Sequence, residues 1–293
     1  MIKLTFLVYF LMFFSVLHAQ LVEVESNYTA GGDVVFGATN FTKTPLFVKI
    51  EFNELQNSTS DEMRVFVSRV RPGYNNILTL TRSAGAGYVR VIFKSQTYRS
   101  DPMAEVNLDF PYLIPFAPGK KVTVFDVKNI DGFWGEKEPK GWLATGFNAS
   151  SGDEVYASRT GEIVEIVGAE RNEDTKTWYN TWIYTITVLQ PDGTLICYKN
   201  VVDKEKKFKL NQTIYSGEKL GEIAPGTSGL ILMIYHNSMN TDDLSFVIPV
   251  FLIEQDKTGL VNSALTIRVV HPVEVRALEM TKKEQRKILG IKN

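Results

Sequence analysis

The chain has 293 residues, of which 44% are apolar and 22% are charged, with a net charge of −1. This composition supports packed cores along the whole chain and excludes wholesale disorder. The balance of 32 basic against 33 acidic residues argues against nucleic acid or an anionic membrane as a bulk partner. The length corresponds to about two ordinary domains.

Residues 1–19 predict a secretory signal peptide. Lys3 precedes an apolar run from Leu4 to Leu17, and Ala19 supplies a small residue for cleavage. The run is shorter than the roughly 20 residues that span a bilayer. We therefore expect cleavage after Ala19, export, and no membrane span in the mature protein; an uncleaved anchor is the alternative.

The single cysteine, Cys197, excludes an intramolecular disulfide, and its strand-like surroundings predict an inert buried thiol.

Residues 20–110 consist of short β-like runs separated by polar turns. The run from Met63 to Val70 alternates apolar and polar residues with period two, as a half-buried strand does. Spacing of this kind predicts a small β-sandwich of immunoglobulin type. No catalytic pattern is visible in it, so we expect a spacer or an interaction module.

Three prolines, at positions 111, 115 and 118, mark a stiff connector, and we place a domain boundary there. The chain beyond it is again rich in strand patterns. Near the end, Thr281 followed three residues later by Glu284 predicts a capping box that starts a short basic helix. The whole pattern predicts an all-β fold with one short C-terminal helix.

Four motifs in the second half follow one another in a fixed order. They are Gly152–Val164, Pro191–Asn200, Lys209–Gly221 and Gly226–Met233. In this order they resemble the lysostaphin/LytM-type zinc endopeptidases, peptidase family M twenty-three, which have the duplicated hybrid motif fold. The resemblance covers about residues 112–255. It implies an endopeptidase-like β domain over 111–255, followed by a C-terminal strand and basic helix over 256–293.

The resemblance also implies that the zinc ligands of the family are lost. Gly146 stands at the aspartate position, and the upstream histidine falls near Trp142. Asn200 replaces the histidine of the Tyr-Ala-His strand, and we assign Leu230 and Leu232 to the His-x-His pair. Gly and Leu cannot bind zinc, which takes about three His, Asp, Glu or Cys ligands. We expect no metal, no cofactor and no zinc peptidase activity.

The histidines of the mature chain do not replace the missing zinc ligands. His236 and His271 are not at metal-ligand spacing, so we interpret both as structural or surface residues. Among the 33 acidic residues some glycosidase-like carboxylate pair is always allowed, but no motif indicates one.

Aromatic residues are the remaining candidates for ligand binding. Trp134 and Trp142 fall in a loop that would border the ancestral groove, and Tyr198 is a third groove-binding candidate. A second set, predicted to serve as core or cross-strand pairs, comprises Trp178, Tyr179, Trp182 and Tyr184. Asn-x-Ser/Thr sequons occur at Asn27, Asn40, Asn57, Asn148 and Asn211, and we interpret them as chance.

The sequence thus predicts an exported protein of the bacterial periplasm or cell envelope, from a Bacteroidetes-like source. Its endopeptidase-like domain would be catalytically inactive and would bind peptidoglycan or an envelope protein. Two alternatives stay open. One is an active peptidoglycan metallopeptidase with displaced ligands, and the other is a structural subunit of an envelope assembly.

Overall fold

The computed structural model describes residues 21–127, 140–168, 184–227, 229–239, 243–260 and 264–291. Strands dominate these residues and the helices are short, which confirms the all-β prediction. No helix in these ranges is both long and apolar enough to cross a membrane. The predicted signal peptide lies outside the described residues.

The first half of the chain forms a sandwich of two antiparallel sheets. One sheet has the order β1-β2-β5 and the other has the order β4-β3-β6. The strands are β1 (Val22–Tyr28), β2 (Val34–Asn40), β3 (Leu46–Gln56), β4 (Val65–Val70), β5 (Gly73–Leu80) and β6 (Arg90–Tyr98). The two sheets therefore confirm a sandwich, while its immunoglobulin type stays a prediction.

Alternating apolar residues of both sheets enclose the core of this sandwich. Phe36 of one sheet lies edge-on to Phe52 and Phe93 of the other, with ring centroids 5.9 and 5.0 Å apart. Val34 and Ile50 are fully buried beside them. Burial of such side chains stabilises a fold by about 1.5–3 kcal/mol each, so the sandwich has a core of its own.

The second half is built around a nine-stranded sheet with the order β15-β11-β12-β13-β17-β9-β8-β21 and with β18 paired to β17. Its strands are β8 (Lys121–Val127), β9 (Ala144–Phe147), β11 (Gly161–Val167), β12 (Thr185–Leu189), β13 (Leu195–Lys199), β15 (Thr213–Ile214), β17 (Leu230–Asn237), β18 (Leu244–Phe246) and β21 (Leu265–Arg268). Two three-stranded sheets flank it, with the orders β10-β16-β14 and β20-β19-β7. Their strands are β7 (Pro111–Tyr112), β10 (Glu154–Tyr156), β14 (Val201–Val202), β16 (Lys219–Ile223), β19 (Val250–Glu254) and β20 (Lys257–Gly259).

The proline-rich segment is part of the second core rather than an exposed connector. Tyr112, Leu113, Ile114 and Phe116 are buried, and β7 pairs in parallel with β19. This segment therefore packs with the second half of the chain, and the domain boundary itself stays a prediction. The C-terminal strand β21 likewise pairs with β8 inside the nine-stranded sheet, so it is an integral part of the second half.

Two short helices, α1 (Val273–Arg276) and α2 (Lys282–Glu284), close the described chain, and α2 continues into a π-helical turn over Gln285–Leu289. The predicted capping box is confirmed. The Thr281 side chain accepts a hydrogen bond from the Glu284 backbone, and the Glu284 carboxylate accepts one from the Thr281 backbone. Tyr215 donates a further bond of 2.8 Å to Glu284 and ties the helix to the body of the protein.

We expect Thr281→Ala to lower the free energy of unfolding by about 1 kcal/mol, because it removes one half of the capping box. Urea denaturation followed by circular dichroism measures the change. Thr266→Ala, at an exposed strand position, is the matched control and should change stability by less. Equal effects of the two substitutions would show that the cap does not stabilise this helix.

Three of the sequon asparagines have a structural role. Asn40 is buried and donates hydrogen bonds of 2.9 Å to the carbonyl groups of Thr44 and Val70. Asn57 and Asn211 have left-handed backbones with φ of 64° and 68°, a conformation that asparagine tolerates better than most residues. Side-chain hydrogen bonds thus account for asparagine at position 40, and a left-handed backbone accounts for it at positions 57 and 211.

Candidate functional site

Strand β17 has two different faces, and the register of its pairings separates them. Leu230, Leu232 and Ile234 point into the main core of the second half. Ile231 and Met233 point to the other side of the nine-stranded sheet, where they join a second apolar cluster. We call this second side the groove face.

Gly146 lies on the groove face, because it pairs directly with Ile231 of β17, and directly paired residues project to the same side of a sheet. Leu230 and Leu232 project to the opposite side. The register therefore puts Leu230 and Leu232, which the sequence analysis assigns to the His-x-His pair, on the side of the sheet opposite Gly146. The β17 residues that share a face with Gly146 are Ile231 and Met233, and neither can bind zinc.

The space beside Gly146 is filled. A Cβ atom built on Gly146 would come within 2.6 Å of Cζ of Phe125 and 2.8 Å of Cγ2 of Val127. Phe125 is the direct cross-strand partner of Gly146. A carboxylate at this position would therefore collide with the phenyl ring, so the packing of Phe125 disfavours an acidic side chain there.

An open groove of about 670 Å³ lies at the end of β8, β9 and β17 on this face. Its apolar floor is formed by Phe125, Val127 and Ile231, and its polar rim includes Lys120, Lys121 and Asp153. Lys120 and Asp153 form a salt bridge. Burial raises the pKa of Asp153, but Lys120 and the Ser150 backbone lower it by more, so this carboxyl is ionised at neutral pH.

The far part of the groove face is covered by the N-terminal sandwich. Phe47 and Tyr98 of the sandwich pack in one apolar cluster with Leu195 and Tyr235 of the nine-stranded sheet. Lys49 donates a hydrogen bond of 3.0 Å to the carbonyl oxygen of Met239. The sandwich thus leaves the groove open at one end of the face and closes the other.

Ion pairs at the edge of the sheet support this arrangement. Arg69 contacts Glu162 at 2.7 Å, and Arg99 contacts Glu165 at 3.2 Å. Both glutamates belong to β11 and both arginines belong to the sandwich. Because these ion pairs are partly exposed, we infer that they orient the two halves of the chain and contribute little to the free energy of unfolding.

Two of the three aromatic candidates for groove binding are buried in the cores, and the third lies outside the described residues. Trp142 is 7% exposed and belongs to the apolar cluster under the sandwich. Tyr198 is fully buried on the opposite side of the sheet, where its hydroxyl accepts a hydrogen bond of 2.8 Å from the Ser158 backbone. Neither can stack on a ligand, and both are core residues. Trp134 lies outside the described residues, as do Trp178, Tyr179 and Trp182; Tyr184 is described and lies in a turn before β12.

The remaining polar candidates have local partners. Asn200 has a left-handed backbone with φ of 70° and donates a hydrogen bond of 3.1 Å to the Gly229 carbonyl. His236 Nδ1 lies 3.0 Å from the Asn237 carbonyl oxygen, and His271 Nε2 lies 2.9 Å from that of Ile114. Burial lowers the pKa of His271. Within the described ranges, no three His, Cys, Asp or Glu side chains come together as a metal site would require.

Lys199 is a groove-face residue that the sequence interpretation did not single out. It pairs directly with Ile231 on one side and with Thr185 on the other, so its side chain stands on the same face as the floor of the groove. Burial lowers its pKa to about 8. The available signal was a lysine in an otherwise apolar strand, Leu195 to Tyr198. Cys197, also on this face, is buried as predicted, and burial raises its pKa.

Arg159 is a second residue that the sequence interpretation missed, and it holds a buried ionic cluster away from the groove. It is 2% exposed, contacts Asp192 and Glu279 at 2.7 Å each, and lies over the Phe110 ring at 4.0 Å. Burial raises the pKa of Asp192, but Arg159 and Thr194 lower it by more. Burial raises the pKa of Glu279 and prevails over the opposing effect of Arg159. The cluster links the turn between β10 and β11, which carries Arg159, to the segment between α1 and α2, which carries Glu279, and is structural.

A scan against protein-family models finds no match, and a search of curated proteins finds none either. Among solved structures, the chain is similar to pseudoalterin, an M23 metalloprotease from the deep sea. The identity is 13% over 54% of this chain and 98% of that one, and the TM-score is 0.33. It is similar to lysostaphin at 18% identity over 36% of this chain and 42% of that one, with a TM-score of 0.27. It is also similar to Csd3 of Helicobacter pylori at 12% identity over 75% of this chain and 66% of that one, with a TM-score of 0.31.

The matched part of this chain spans less than half of the lysostaphin chain and just under two thirds of Csd3. TM-scores of this size carry no argument about activity, so the function of the chain must rest on its own residues.

Proposed function

We propose that this chain is an exported cell-envelope protein whose second half binds peptidoglycan or an envelope protein without hydrolysing it. The observation that supports this proposal is the contact at Gly146. Phe125 and Val127 occupy the space that a metal-binding side chain would need there, and the neighbouring β17 residues are Ile231 and Met233.

An apolar floor favours binding over metal-assisted hydrolysis. Metallohydrolysis needs an ion that activates water and polarises the scissile carbonyl. Phe125, Val127 and Ile231 offer neither metal ligands nor a general base. The same surface can bury apolar parts of a ligand, while Lys120, Lys121 and Asp153 at the rim can contact its polar groups.

The proposal is tested by retention of the purified mature protein on peptidoglycan sacculi. We expect the protein to sediment with sacculi, and we expect Lys121→Glu to reduce retention because it reverses a charge on the groove rim. Lys257→Glu, on the exposed β19–β20 hairpin, is the matched control and should be retained like the unmodified protein. Release of soluble fragments from the sacculi, with or without added zinc, measures hydrolysis, and we expect none.

Two results would reject parts of this proposal. Failure of the unmodified protein to sediment would exclude peptidoglycan and leave an envelope protein as the ligand. Zinc-dependent release of fragments that stops on addition of a chelator would establish an active enzyme instead.

A further inference from the structure

The open end of the groove carries two exposed cations that have no acidic partner among the described residues. Lys121 lines the groove, and Arg268 of β21 is its direct cross-strand partner. Arg268 makes one long hydrogen bond of 3.4 Å, to the Gly119 carbonyl oxygen. Asp153 is the one acidic residue that lines the described groove, and it already contacts Lys120. The open end therefore has a net positive charge.

The pairing of β8 with β21 brings these two cations close together. The neighbouring pair on the same face, Thr123 and Thr266, has its hydroxyl oxygens 3.0 Å apart, so facing side chains are in contact here. Like charges directly opposite each other on a sheet repel. An anion that contacts both Lys121 and Arg268 removes this repulsion and accepts two charge-assisted hydrogen bonds.

The apolar floor lies at a defined distance from the cation pair. Lys121 and Phe125 are four residues apart on β8, so their side chains project to the same face, with about 13 Å between their Cα atoms at about 3.3 Å per residue. Phe125 forms the floor with Val127 and Ile231. An extended polypeptide has the same period, so an acidic residue and an apolar residue four positions apart can contact the cations and the floor at once.

We propose that Lys121 and Arg268 bind an acidic side chain of an extended segment of an envelope protein, whose apolar side chain four positions away lies on the floor of the groove. This inference rests on the proposed binding function and specifies the ligand and the chemistry that the groove recognises. The carboxylate accepts hydrogen bonds from the Lys121 ammonium and the Arg268 guanidinium. Charge complementarity selects an acidic segment over a basic one. A polypeptide fits better than a glycan strand, because its side chains recur on one side at this spacing.

The test measures binding of synthetic peptides to the full mature chain by isothermal titration calorimetry. The first probe is N-acetyl-Glu-Thr-Ser-Thr-Leu amide, used in both sequence orders, and the second has Gln in place of Glu. We expect the Glu peptide, in one of the two orders, to bind at least about tenfold more tightly than its Gln counterpart, as charge-assisted hydrogen bonds provide. Moving Leu one position closer to Glu should weaken binding, because the two side chains then project to opposite sides.

Variants of the two cations test the site itself. Lys121→Gln and Arg268→Gln should each reduce the preference for Glu over Gln, and the double variant should abolish it. Lys257→Gln, on the exposed β19–β20 hairpin, is the matched control and should leave the preference unchanged. An increase in ionic strength from about 0.1 M to about 1 M shortens the Debye length from about 10 Å to about 3 Å, so it should reduce the preference as well. Unfolding midpoints should show that all variants are folded.

Equal affinity for the Glu and Gln peptides, absence of binding of both, or an unchanged preference in the double variant would each overturn the site. Competition with sacculi identifies the source of the carboxylate. If sacculi displace the Glu peptide, the carboxylate belongs to peptidoglycan and the assignment to an envelope protein is overturned. If sacculi do not retain the protein but the Glu peptide binds through Lys121 and Arg268, the inference stands and peptidoglycan is excluded as the ligand. If sacculi retain the unmodified protein and the double variant equally, and the two peptides bind alike, the proposed function stands without this site.

Discussion

Replacement of Gly146 by aspartate is expected to lower the free energy of unfolding by about 3 kcal/mol and to create no zinc site. The new side chain would collide with Phe125 and Val127, and overpacking of this kind costs about 1–3 kcal/mol. Gly146 is buried, so the ionised carboxylate adds a cost of desolvation. Chemical denaturation measures the change in stability, and zinc titration tests for a new metal site.

Two comparisons test whether the collision with Phe125 causes this loss of stability. In the Phe125→Ala background, Gly146→Asp should destabilise the protein less than in the native background, since the colliding ring is gone; a double-mutant cycle gives the coupling. Gly168→Asp, at a glycine that directly follows β11 and has no atom of the described residues within 4 Å of an added Cβ, should have a much smaller effect. If Gly146→Asp is tolerated as well as Gly168→Asp, Phe125 does not fill the site and the account of the groove floor fails.

Replacement of Arg159 by methionine is expected to lower the free energy of unfolding by about 3–5 kcal/mol, because it removes one partner of a buried ionic cluster and leaves the others uncompensated. Arg159 is 2% exposed, and its guanidinium contacts both Asp192 and Glu279 at 2.7 Å. The carboxylate of Asp192 would remain charged and lose its counter-ion. Thermal and urea unfolding of the variant measure the loss.

Arg90→Met is the matched control for this substitution. Arg90 is largely exposed and lies 3.8 Å from Glu54, so its replacement should change stability by about 0.5 kcal/mol or less. Adding Asp192→Asn to Arg159→Met should restore part of the stability by removing the unpaired charge. A loss of less than about 1 kcal/mol in Arg159→Met would show that the cluster is not an essential link between the β10–β11 turn and the C-terminal helices.

The sequence predicts the parts of this protein that depend on local patterns. Period-two alternation in segments such as Met63–Val70 is enough to indicate strands, and the all-β class is confirmed. Thr281 and Glu284 form the capping box that their spacing indicates. Both signals arise from neighbours within a few residues, so they are visible without the tertiary structure.

The groove could be predicted only in part, because it depends on register and on distant contacts. Strand β17 is apolar on both faces, and such a strand shows no alternation from which to assign its sides. The sequence therefore does not reveal that Ile231 and Met233, rather than Leu230 and Leu232, share a face with Gly146. Trp142 and Tyr198 belong to residue types that often bind ligands. Their burial, however, depends on elements far away in the chain, including the sandwich strands that carry Phe47 and Tyr98 and that cover Trp142. Phe125 gives no sign in the sequence that it packs against Gly146.

We propose that the groove floor is an apolar binding surface that holds no catalytic metal. The most direct measurement is the zinc content of the purified mature protein, followed by calorimetric titration with zinc. We expect no bound zinc and no binding at micromolar concentrations, with unchanged thermal stability when zinc is added. Stoichiometric zinc, with a rise in the melting temperature on zinc addition and its loss on chelation, would overturn this proposal.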